Sequence, residues 1–302
     1  MKVLITGIKG FIGQHLSRKL IERGHKVKGL ENKNGGVLNK ILVERAIRDA
    51  DVVVHLAALT SHKELVDNRL EALEISFLGT KNALDAFVKS KTAKKFLFAS
   101  TGKVYGKIVR LPIDEDHPTS PLNILGKSKL IAEKLIDFYA STLDSTSSPQ
   151  ALSIDQKEFV IFRAFQVYGL EQKRNFLIPT IISQINSGKK EIILGDIKAK
   201  RDYVYIDDLI DAFIKVVERK TTKGLSIYNI CTGVGSSAGD IVRLIGKIKA
   251  KKIKIKVDTD LLREDEMHEE YGSYKKAKKE LGWEPKIVLE EGLEMLFKKN
   301  EK

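Results

Sequence analysis

The stretch that decides the fold lies at the start of the chain: Val3-Leu4-Ile5-Thr6-Gly7-Ile8-Lys9-Gly10-Phe11-Ile12-Gly13. Its first three residues are apolar and predict a short buried strand that ends at Thr6-Gly7. A helical pattern then begins near Phe11 and continues to Arg23, where Gly24 interrupts it. The three glycines therefore lie in a turn between a strand and a helix, which is where phosphate-binding turns occur.

The glycines follow the spacing G-x-x-G-x-x-G. The first permits a tight turn, the second lets the backbone approach a pyrophosphate, and the third lets the helix pack on the strand. The helix N-terminus adds N–H groups and a positive dipole end. Glu31 closes the next strand, 18 positions after Gly13, where a carboxylate accepts ribose hydroxyls and repels a 2′-phosphate. The segment predicts a dinucleotide site that prefers NAD to NADP, although the positive charge of Lys33 works against that preference.

Strand and helix patterns alternate along the first half of the chain. The further elements predicted there are strands at Val27–Leu30, Asp51–Leu56, Lys95–Ala99 and Phe159–Phe165, with long helices at about Asn68–Ser90 and Lys127–Tyr139. This alternation predicts an α/β fold of the Rossmann type, a doubly wound parallel sheet with a smaller C-terminal substrate-binding lobe. We expect residues 1–168 to form the NAD-binding domain. Residues 169–302 should form mainly the substrate-binding lobe, with some segments returning to the sheet.

The composition is typical of a globular protein, because 42% of the 302 residues are hydrophobic and 31% are charged. The single cysteine, Cys231, excludes an internal disulfide framework and agrees with a reducing compartment. No apolar run approaches the roughly 20 residues that a membrane-spanning helix needs. We therefore expect a cytoplasmic protein that does not bind a membrane.

The formal net charge of +13 allows two interpretations. A strong excess of basic residues is found in nucleic-acid-binding proteins, but it also describes a lysine-rich solvated surface. The densest run, at residues 251–256 (KKIKIK), alternates lysine with isoleucine at the period of a half-buried strand. The sequence therefore predicts no nucleic-acid partner, and it predicts no metal site.

Five further motifs extend along nearly the whole chain. They are His55–Ala58 (HLAA), Phe98–Gly106 (FASTGKVYG), Phe162–Gly169 (FRAFQVYG), Arg201–Asp208 (RDYVYIDD) and Leu281–Pro285 (LGWEP). With the glycine turn they resemble the extended short-chain dehydrogenase/reductase family, the nucleotide-sugar epimerases and dehydratases. The resemblance implies an NAD cofactor and a nucleotide-sugar substrate. It implies cofactor contacts at Gly7, Gly10, Phe11, Ile12, Gly13, Glu31, Leu56, Ala57, Ala58 and Lys129.

By the same resemblance the catalytic hydroxyl falls on Thr101 and the catalytic lysine on Lys129. The charge of such a lysine holds the nicotinamide ribose and lowers the pKa of a neighbouring phenol, which acts as the general base. The phenol belongs four residues before the lysine, and this chain has Leu125 there. Leucine carries no proton. The general base is therefore missing, is replaced by another group, or was removed by an engineered substitution at this position.

Two residues near Thr101 bear on that replacement. Gly102 occupies a position where the common sugar 4,6-dehydratases carry an acidic pair, which counts against an ordinary dehydratase. Lys103 lies where a subset of inverting dehydratases uses a lysine to take the C5 proton, so the resemblance makes it a candidate catalytic residue. The alternatives are a solvent-facing lysine at 103 and, at Tyr105, a packed aromatic ring rather than a substitute base.

The resemblance also implies four contacts to the nucleotide sugar, at Gln166, Asn175, Arg201 and Arg263. The two arginines suit a diphosphate, because a guanidinium presents a planar fork of donors. Ordinary salt bridges are the alternative for both.

The two long predicted helices resemble the pair that forms the family's homodimer, a four-helix bundle. Their apolar stripes consist of Leu73, Phe77, Leu84 and Phe87 in the first helix and of Leu130, Ile131, Leu135 and Phe138 in the second. Burial within one subunit would give the same stripes.

Three functions follow from these observations. The first is an NAD-dependent epimerase-type enzyme that oxidises and re-reduces a UDP- or dTDP-sugar. The second is a catalytically weakened relative that binds NAD and a nucleotide sugar. Its reasons are Leu125 and Gln166, which occupies the position of the family's usual asparagine. A lysine-assisted dehydratase is the third.

Overall fold

A six-stranded sheet forms the centre of the fold. Its strands follow the spatial order Lys26–Leu30 (β2), Lys2–Thr6 (β1), Val52–His55 (β3), Lys95–Thr101 (β4), Glu158–Ala164 (β5) and Gly224–Ile230 (β9). The computed structural model describes residues 1–142, 157–188, 191–262 and 268–298. The pairs β1–β2, β1–β3 and β3–β4 are parallel, so these strands end at the same edge of the sheet. This architecture confirms the predicted doubly wound α/β fold.

The first half of the chain carries the strands of the sheet and the helices that cover it. Its elements are β1 (Lys2–Thr6), α1 (Phe11–Glu22), β2 (Lys26–Leu30), α2 (Lys40–Ile47), β3 (Val52–His55), α3 (His62–Asp67), α4 (Arg69–Glu74), α5 (Thr80–Lys89), β4 (Lys95–Thr101), α6 (Ile124–Thr142) and β5 (Glu158–Ala164). Short 3₁₀ turns occur at Lys33–Leu38 and Gly102–Val104, and a π-helical turn occurs at Ile75–Gly79.

The second half has shorter strands and several smaller sheets. Its elements are β6 (Gln166–Tyr168), α7 (Leu177–Asn186), β7 (Glu191–Leu194), β8 (Lys200–Tyr205), α8 (Ile206–Glu218), β9 (Gly224–Ile230), β10 (Gly235–Ser237), α9 (Ala238–Ile248), β11 (Lys254–Val257), β12 (Glu269–Glu270), α10 (Lys275–Leu281) and α11 (Leu289–Lys298). Strand β8 pairs with β6, β10 and β12, and β11 pairs with β7.

The chain divides into two compact units. Unit 1 comprises Met1–Gly106, Thr119–Arg163 and Ile210–Tyr228, and unit 2 comprises Lys107–Pro118, Ala164–Leu209 and Asn229–Lys302. The core of unit 1 consists of apolar residues from the sheet and from α2, α5 and α6, with Phe87, Phe96 and Phe159 in mutual ring contact. The division of function between residues 1–168 and 169–302 stays a prediction.

The long helix predicted at about 68–90 is interrupted. A π-helical turn at Ile75–Gly79 separates α4 from α5 and holds one more residue per turn than an α-helix. The predicted stripe therefore does not share one face. Leu73 and Phe77 are more than 40% exposed, whereas Leu84 and Phe87 are fully buried in the core. The stripe is wrong as a single surface because the extra residue rotates the two halves of the pattern.

Within the described ranges, none of the helices has the length and apolar character that crossing a bilayer requires. The last three residues of the lysine-rich run at 251–256 form the start of β11. The lysines of this strand are exposed and its Ile255 is half-buried.

Candidate active site

The glycine turn joins β1 to α1 with a geometry that side chains would prevent. Gly7 has φ +70°, a left-handed conformation that glycine adopts without strain. Its N–H donates to the Leu30 carbonyl at 3.1 Å, and its own carbonyl accepts from Gly10 at 2.9 Å. A Cβ at Gly13 would lie 2.4 Å from the Gly7 oxygen, so α1 packs on the turn only because position 13 is glycine.

The N-terminus of α1 presents free backbone donors. Gly10 precedes the helix, and no side chain caps it. The first intrahelical bond is donated by Gln14 to Gly10 at 3.0 Å, so the N–H groups of Phe11, Ile12 and Gly13 point out of the helix end. These donors and the helix dipole favour a bound phosphate.

Glu31 lies directly after β2, beside this turn. Its carboxylate forms an ion pair with Lys9, with 2.9 Å between Nζ and Oε2, and its side chain is about one-third exposed. The hydrogen bond from Lys9 holds the pKa of Glu31 below its usual range, with the charge of Lys33 acting in the same direction. Glu31 is therefore ionised, and its carboxylate could accept hydrogen bonds from ribose hydroxyls in place of its contact with Lys9.

The segment after β3 is held by a polar network that sequence reasoning did not identify. The Thr6 hydroxyl accepts the N–H groups of Leu56 and Ala57, each at 3.2 Å. His55 lies between Thr6, at 2.8 Å, and Thr80, at 3.1 Å. Burial lowers the pKa of His55 to about 3, so the ring is neutral. This network fixes Leu56 and Ala57 at the edge where β1 ends.

Thr101 is the last residue of β4, at the same edge of the sheet. Its hydroxyl accepts the N–H of Lys103 at 3.2 Å and begins the 3₁₀ turn Gly102–Val104. Lys103 is half-exposed in that turn. Tyr105 is fully buried, with its ring under the Arg163 guanidinium at 4.8 Å. The structure therefore favours the packing interpretation of Tyr105.

Helix α6 brings Leu125 and Lys129 to this turn. The side chain of Asn123 accepts the N–H of Gly126 at 2.9 Å and so caps the start of the helix. The first residues of α6 pack against the turn Gly102–Val104. Leu125 is half-buried there, one helical turn before Lys129.

Lys129 is buried, and its position is well defined. Its Nζ donates to the Ala99 carbonyl at 2.7 Å and lies 4.6 Å from the centre of the Phe98 ring. Burial lowers the pKa of Lys129 to about 8, and the Glu133 carboxylate opposes that shift. The ammonium of Lys129 is therefore held at the carboxyl end of β4, two residues before Thr101.

A buried ion pair lies beneath these residues and was not predicted from the sequence. Glu133 pairs with Arg163 of β5, with 2.7 Å between Oε2 and Nη2, and both side chains are about 95% buried. The Ser100 hydroxyl donates to the same carboxylate. The signal was present in the sequence, because Arg163 interrupts an apolar strand and Glu133 follows Lys129 by one helical turn.

The predicted substrate contacts fall in unit 2. Gln166 begins β6 and pairs with Tyr203 of β8, and Asn175 is exposed in the loop before α7. Arg201 of β8 is almost buried, donates to the Lys200 carbonyl at 2.8 Å and lies 3.6 Å from the Glu270 carboxylate. Arg263 lies outside the described residues.

Two motifs of unit 2 are explained by hydrogen bonds to carboxylates. Asp202 accepts the N–H groups of Thr232, at 2.7 Å, and of Gly233, at 2.8 Å. Asp208 accepts those of Lys286 and Ile287, both at 3.1 Å. The indole of the buried Trp283 donates to the Asp208 carbonyl at 2.9 Å. RDYVYIDD and LGWEP are therefore joined to each other in the folded chain.

Unit 1 meets the requirements of a dinucleotide. It offers a turn in which a Cβ would collide with backbone, a helix N-terminus without a side-chain cap, a carboxylate after β2 and a buried ammonium on the Ala99 carbonyl. Gly7, Gly10, Phe11, Ile12 and Gly13 would hold the pyrophosphate. Glu31 would hold the adenosine ribose, and Lys129 the nicotinamide ribose.

Comparison with known proteins agrees with this geometry. A model of the NAD dependent epimerase/dehydratase family matches residues 3–231. A protein of Methanocaldococcus jannaschii, provisionally named UDP-glucose 4-epimerase, is 32% identical over 96% of this chain and 95% of its own. UDP-glucose 4-epimerase from Thermotoga maritima, solved with UDP-glucose, is 28% identical with a TM-score of 0.85 over the whole of both chains. The Thermus thermophilus UDP-glucose 4-epimerase, solved with NAD, is 26% identical with a TM-score of 0.83 over 99% of this chain and 98% of its own.

The family model spans more than half of the chain, and the relatives span nearly all of it. The resemblance inferred from the motifs is therefore confirmed, and so is NAD as the cofactor. The chain belongs to the NAD-dependent epimerase/dehydratase family.

Proposed function

We propose that the protein is an epimerase-type enzyme that oxidises and re-reduces a UDP- or dTDP-sugar, with Leu125 at the position of the usual phenol. The observation that carries the proposal is the placement of Lys129, whose ammonium is held on the Ala99 carbonyl, two residues before Thr101. Bound NAD supplies a hydride acceptor that can return the hydride to the sugar. The residues 7–13 orient that cofactor, and Thr101 orients the sugar hydroxyl that is oxidised.

The proton from that hydroxyl needs a destination, since Leu125 cannot accept it. Lys103 is the first candidate in unit 1, because its backbone is tied to the Thr101 hydroxyl and its side chain is half-exposed. Tyr105 is a poor candidate, because its ring is buried under Arg163. If Lys103 instead removes a proton from C5 of the oxidised sugar, the same site performs a lysine-assisted dehydration.

A catalytically weakened protein that binds NAD and a nucleotide sugar is the second function. Leu125 favours it, because loss of a general base costs about 10²- to 10⁴-fold in rate. The cofactor-binding features of unit 1 would remain under selection for binding alone.

A panel of UDP- and dTDP-sugars, incubated with the wild-type protein in D₂O, tests the function. We expect slow formation of a 4-epimer, and C5 deuterium incorporation would instead indicate the dehydratase. Lys103→Met should lower the rate by about 10²- to 10⁴-fold if Lys103 carries the proton. Lys107→Met removes an exposed lysine of the following loop and should leave the rate unchanged. NAD binding without turnover of any sugar would favour the second function.

We further propose a homodimer formed through α6 and the π-helical turn. Phe77, Ile131 and Phe138 are exposed apolar residues on this surface. They line a groove of about 650 Å³ together with Pro121, Lys127, Leu130, Lys134 and Leu135. Contiguous apolar surface of this kind is typical of an interface, and two copies of α6 would cover each other's groove.

Phe138→Asp should convert a dimer into a monomer, because it places a charge in the apolar contact. Molar mass from light scattering during size-exclusion chromatography measures the change. Ile21→Asp alters an equally exposed apolar residue on α1 and should leave the mass unchanged. A wild-type protein that is monomeric at high concentration would refute the dimer.

A further inference from the structure

The buried pair Glu133–Arg163 connects β4, which carries Thr101, and α6, which carries Leu125 and Lys129, with the neighbouring strand β5. Glu133 is on α6, Arg163 is on β5, and the Ser100 hydroxyl that donates to Glu133 is on β4. Arg163 approaches both oxygens of the carboxylate, with Nε at 3.2 Å from each. The geometry is that of a planar fork on a carboxylate, which fixes orientation as well as distance.

Lys129 shares a helix face with Glu133, because residues four apart on an α-helix lie one above the other. The Glu133 carboxylate raises the pKa of Lys129 against the effect of burial. Arg163 in turn neutralises that carboxylate through its ion pair. The field at Lys129 therefore depends on both members of the pair with opposite signs.

Stability alone does not account for a pair in this place. Desolvation of two charges offsets most of their attraction, and apolar residues of similar volume often stabilise a protein as well or better. The pair lies in unit 1, where Ser100 of β4 donates to Glu133. Its neighbours along α6 and β5 belong to the apolar core. Its position points to a requirement of the neighbouring site.

The other ionisable groups around Lys129 leave the electrostatic tuning of its ammonium to the Glu133–Arg163 pair. His55 of β3 faces it and is neutral, since its pKa is lowered to about 3. Tyr105, after β4, lies against Arg163. Lys103 is in the turn after Thr101, and position 125 carries leucine in place of the expected phenol.

We propose that Glu133 and Arg163 act as positioning residues for Lys129, holding its ammonium on the Ala99 carbonyl and balancing the electrostatic field in which it ionises. The proposal rests on the proposed function only in taking Lys129 as a residue that binds the cofactor. Because Leu125 brings no acid to the site, the Glu133 carboxylate is the charge that opposes the effect of burial on the pKa of Lys129, and Arg163 balances that carboxylate.

Single substitutions in the pair should shift the pKa of Lys129 in opposite directions. Glu133→Gln removes the carboxylate but keeps the Arg163 cation, so it should lower the pKa of Lys129 by about one unit. Arg163→Met removes the cation but keeps the Glu133 carboxylate, so it should raise the pKa of Lys129 by a similar amount. The double variant should return it close to the wild-type value, and Arg163→Lys, which keeps the charge, should do the same.

The titration is measured on NAD-free protein by the Cε chemical shift of Lys129 in ¹³C-lysine-labelled samples, assigned with Lys129→Arg. A second measurement follows the dissociation constant of NAD from pH 6 to 10. In the wild type, affinity should fall as the pH rises through about 8, because the neutral amine has lost its charge. The midpoint should move down in Glu133→Gln and up in Arg163→Met.

Glu158→Gln is the matched control, because Glu158 is also fully buried and paired, with Arg219, in the same unit. It should lower the melting temperature and leave the Lys129 titration unchanged. A purely structural pair would loosen α6 in every variant, hydrate Lys129 and raise its pKa in all of them, and that result would overturn the proposal. If the titration shifts as expected but NAD affinity does not follow, the positioning role stands and the cofactor role of Lys129 fails.

Discussion

Leu125→Tyr is expected to raise the turnover of a nucleotide sugar by about 10²- to 10⁴-fold, which is the usual contribution of a general base. The substitution places a phenol on the first turn of α6, one helical turn before Lys129 and beside the turn that follows Thr101. The buried ammonium of Lys129 would lower the pKa of that phenol. Product formation and enzyme-bound NADH, followed across a panel of UDP- and dTDP-sugars, measure the gain.

Leu125→Phe is the matched control, because it adds the ring without the hydroxyl. It should show no gain, and adding Lys129→Met to Leu125→Tyr should remove most of the gain. A wild-type protein with ordinary turnover, unimproved by the tyrosine, would show that another group has taken the role of the base. Lys103 would then be the residue to substitute first.

Loss of Arg201 should abolish most of the thermal stabilisation that uridine or thymidine diphosphate gives to the protein. A ligand that binds only the native state stabilises it by about 2.7 kcal/mol at 100 times its dissociation constant. A guanidinium fork on a diphosphate is a charge-assisted contact, and its removal should weaken binding by about 30-fold or more. The melting temperature with and without nucleotide measures the effect.

The ion pair of Arg201 with Glu270 dictates the design of this experiment. Arg201→Ala alone leaves a buried carboxylate without its cation, which typically costs about 3–5 kcal/mol of stability. The informative variant is therefore Arg201→Ala combined with Glu270→Gln, compared with Glu270→Gln alone. Glu270→Gln alone should keep the nucleotide-induced shift of the melting temperature. The double variant should lose most of that shift. An unchanged shift in the double variant would remove Arg201 from the site.

Local chemistry made much of unit 1 predictable. The glycine turn, the strand that ends at Thr6 and the helix that starts at Phe11 were expected from spacing alone, and the structure has them at those residues. Glu31 was expected to close a strand, and it directly follows β2, whereas β4 extends two residues beyond the predicted Ala99 and ends at Thr101. In each case the preference arises from a few consecutive residues, through φ/ψ limits, backbone approach or periodicity.

Other features were missed because their causes lie elsewhere in the chain. The π-helical turn at Ile75–Gly79 redirects Leu84 and Phe87 into the core, and a helical pattern drawn with 3.6 residues per turn cannot register one extra residue. The His55 network depends on Thr6 and Thr80, which are 49 and 25 positions away. The partner of Arg201 is 69 positions along the chain, on a strand of two residues.

The sequence by itself determined the family, the cofactor and the place of Leu125 one helical turn before Lys129, because motif chemistry and helical spacing are local properties. The tertiary structure alone decided the environment of Lys129. Lys129 is buried and bonded to Ala99 of β4, and Glu133 of α6 is paired with Arg163 of β5. Each of these two contacts joins residues 30 positions apart. Ionisation depends on desolvation and on charges within a few ångströms, and those distances exist only after the sheet and the helix have packed together.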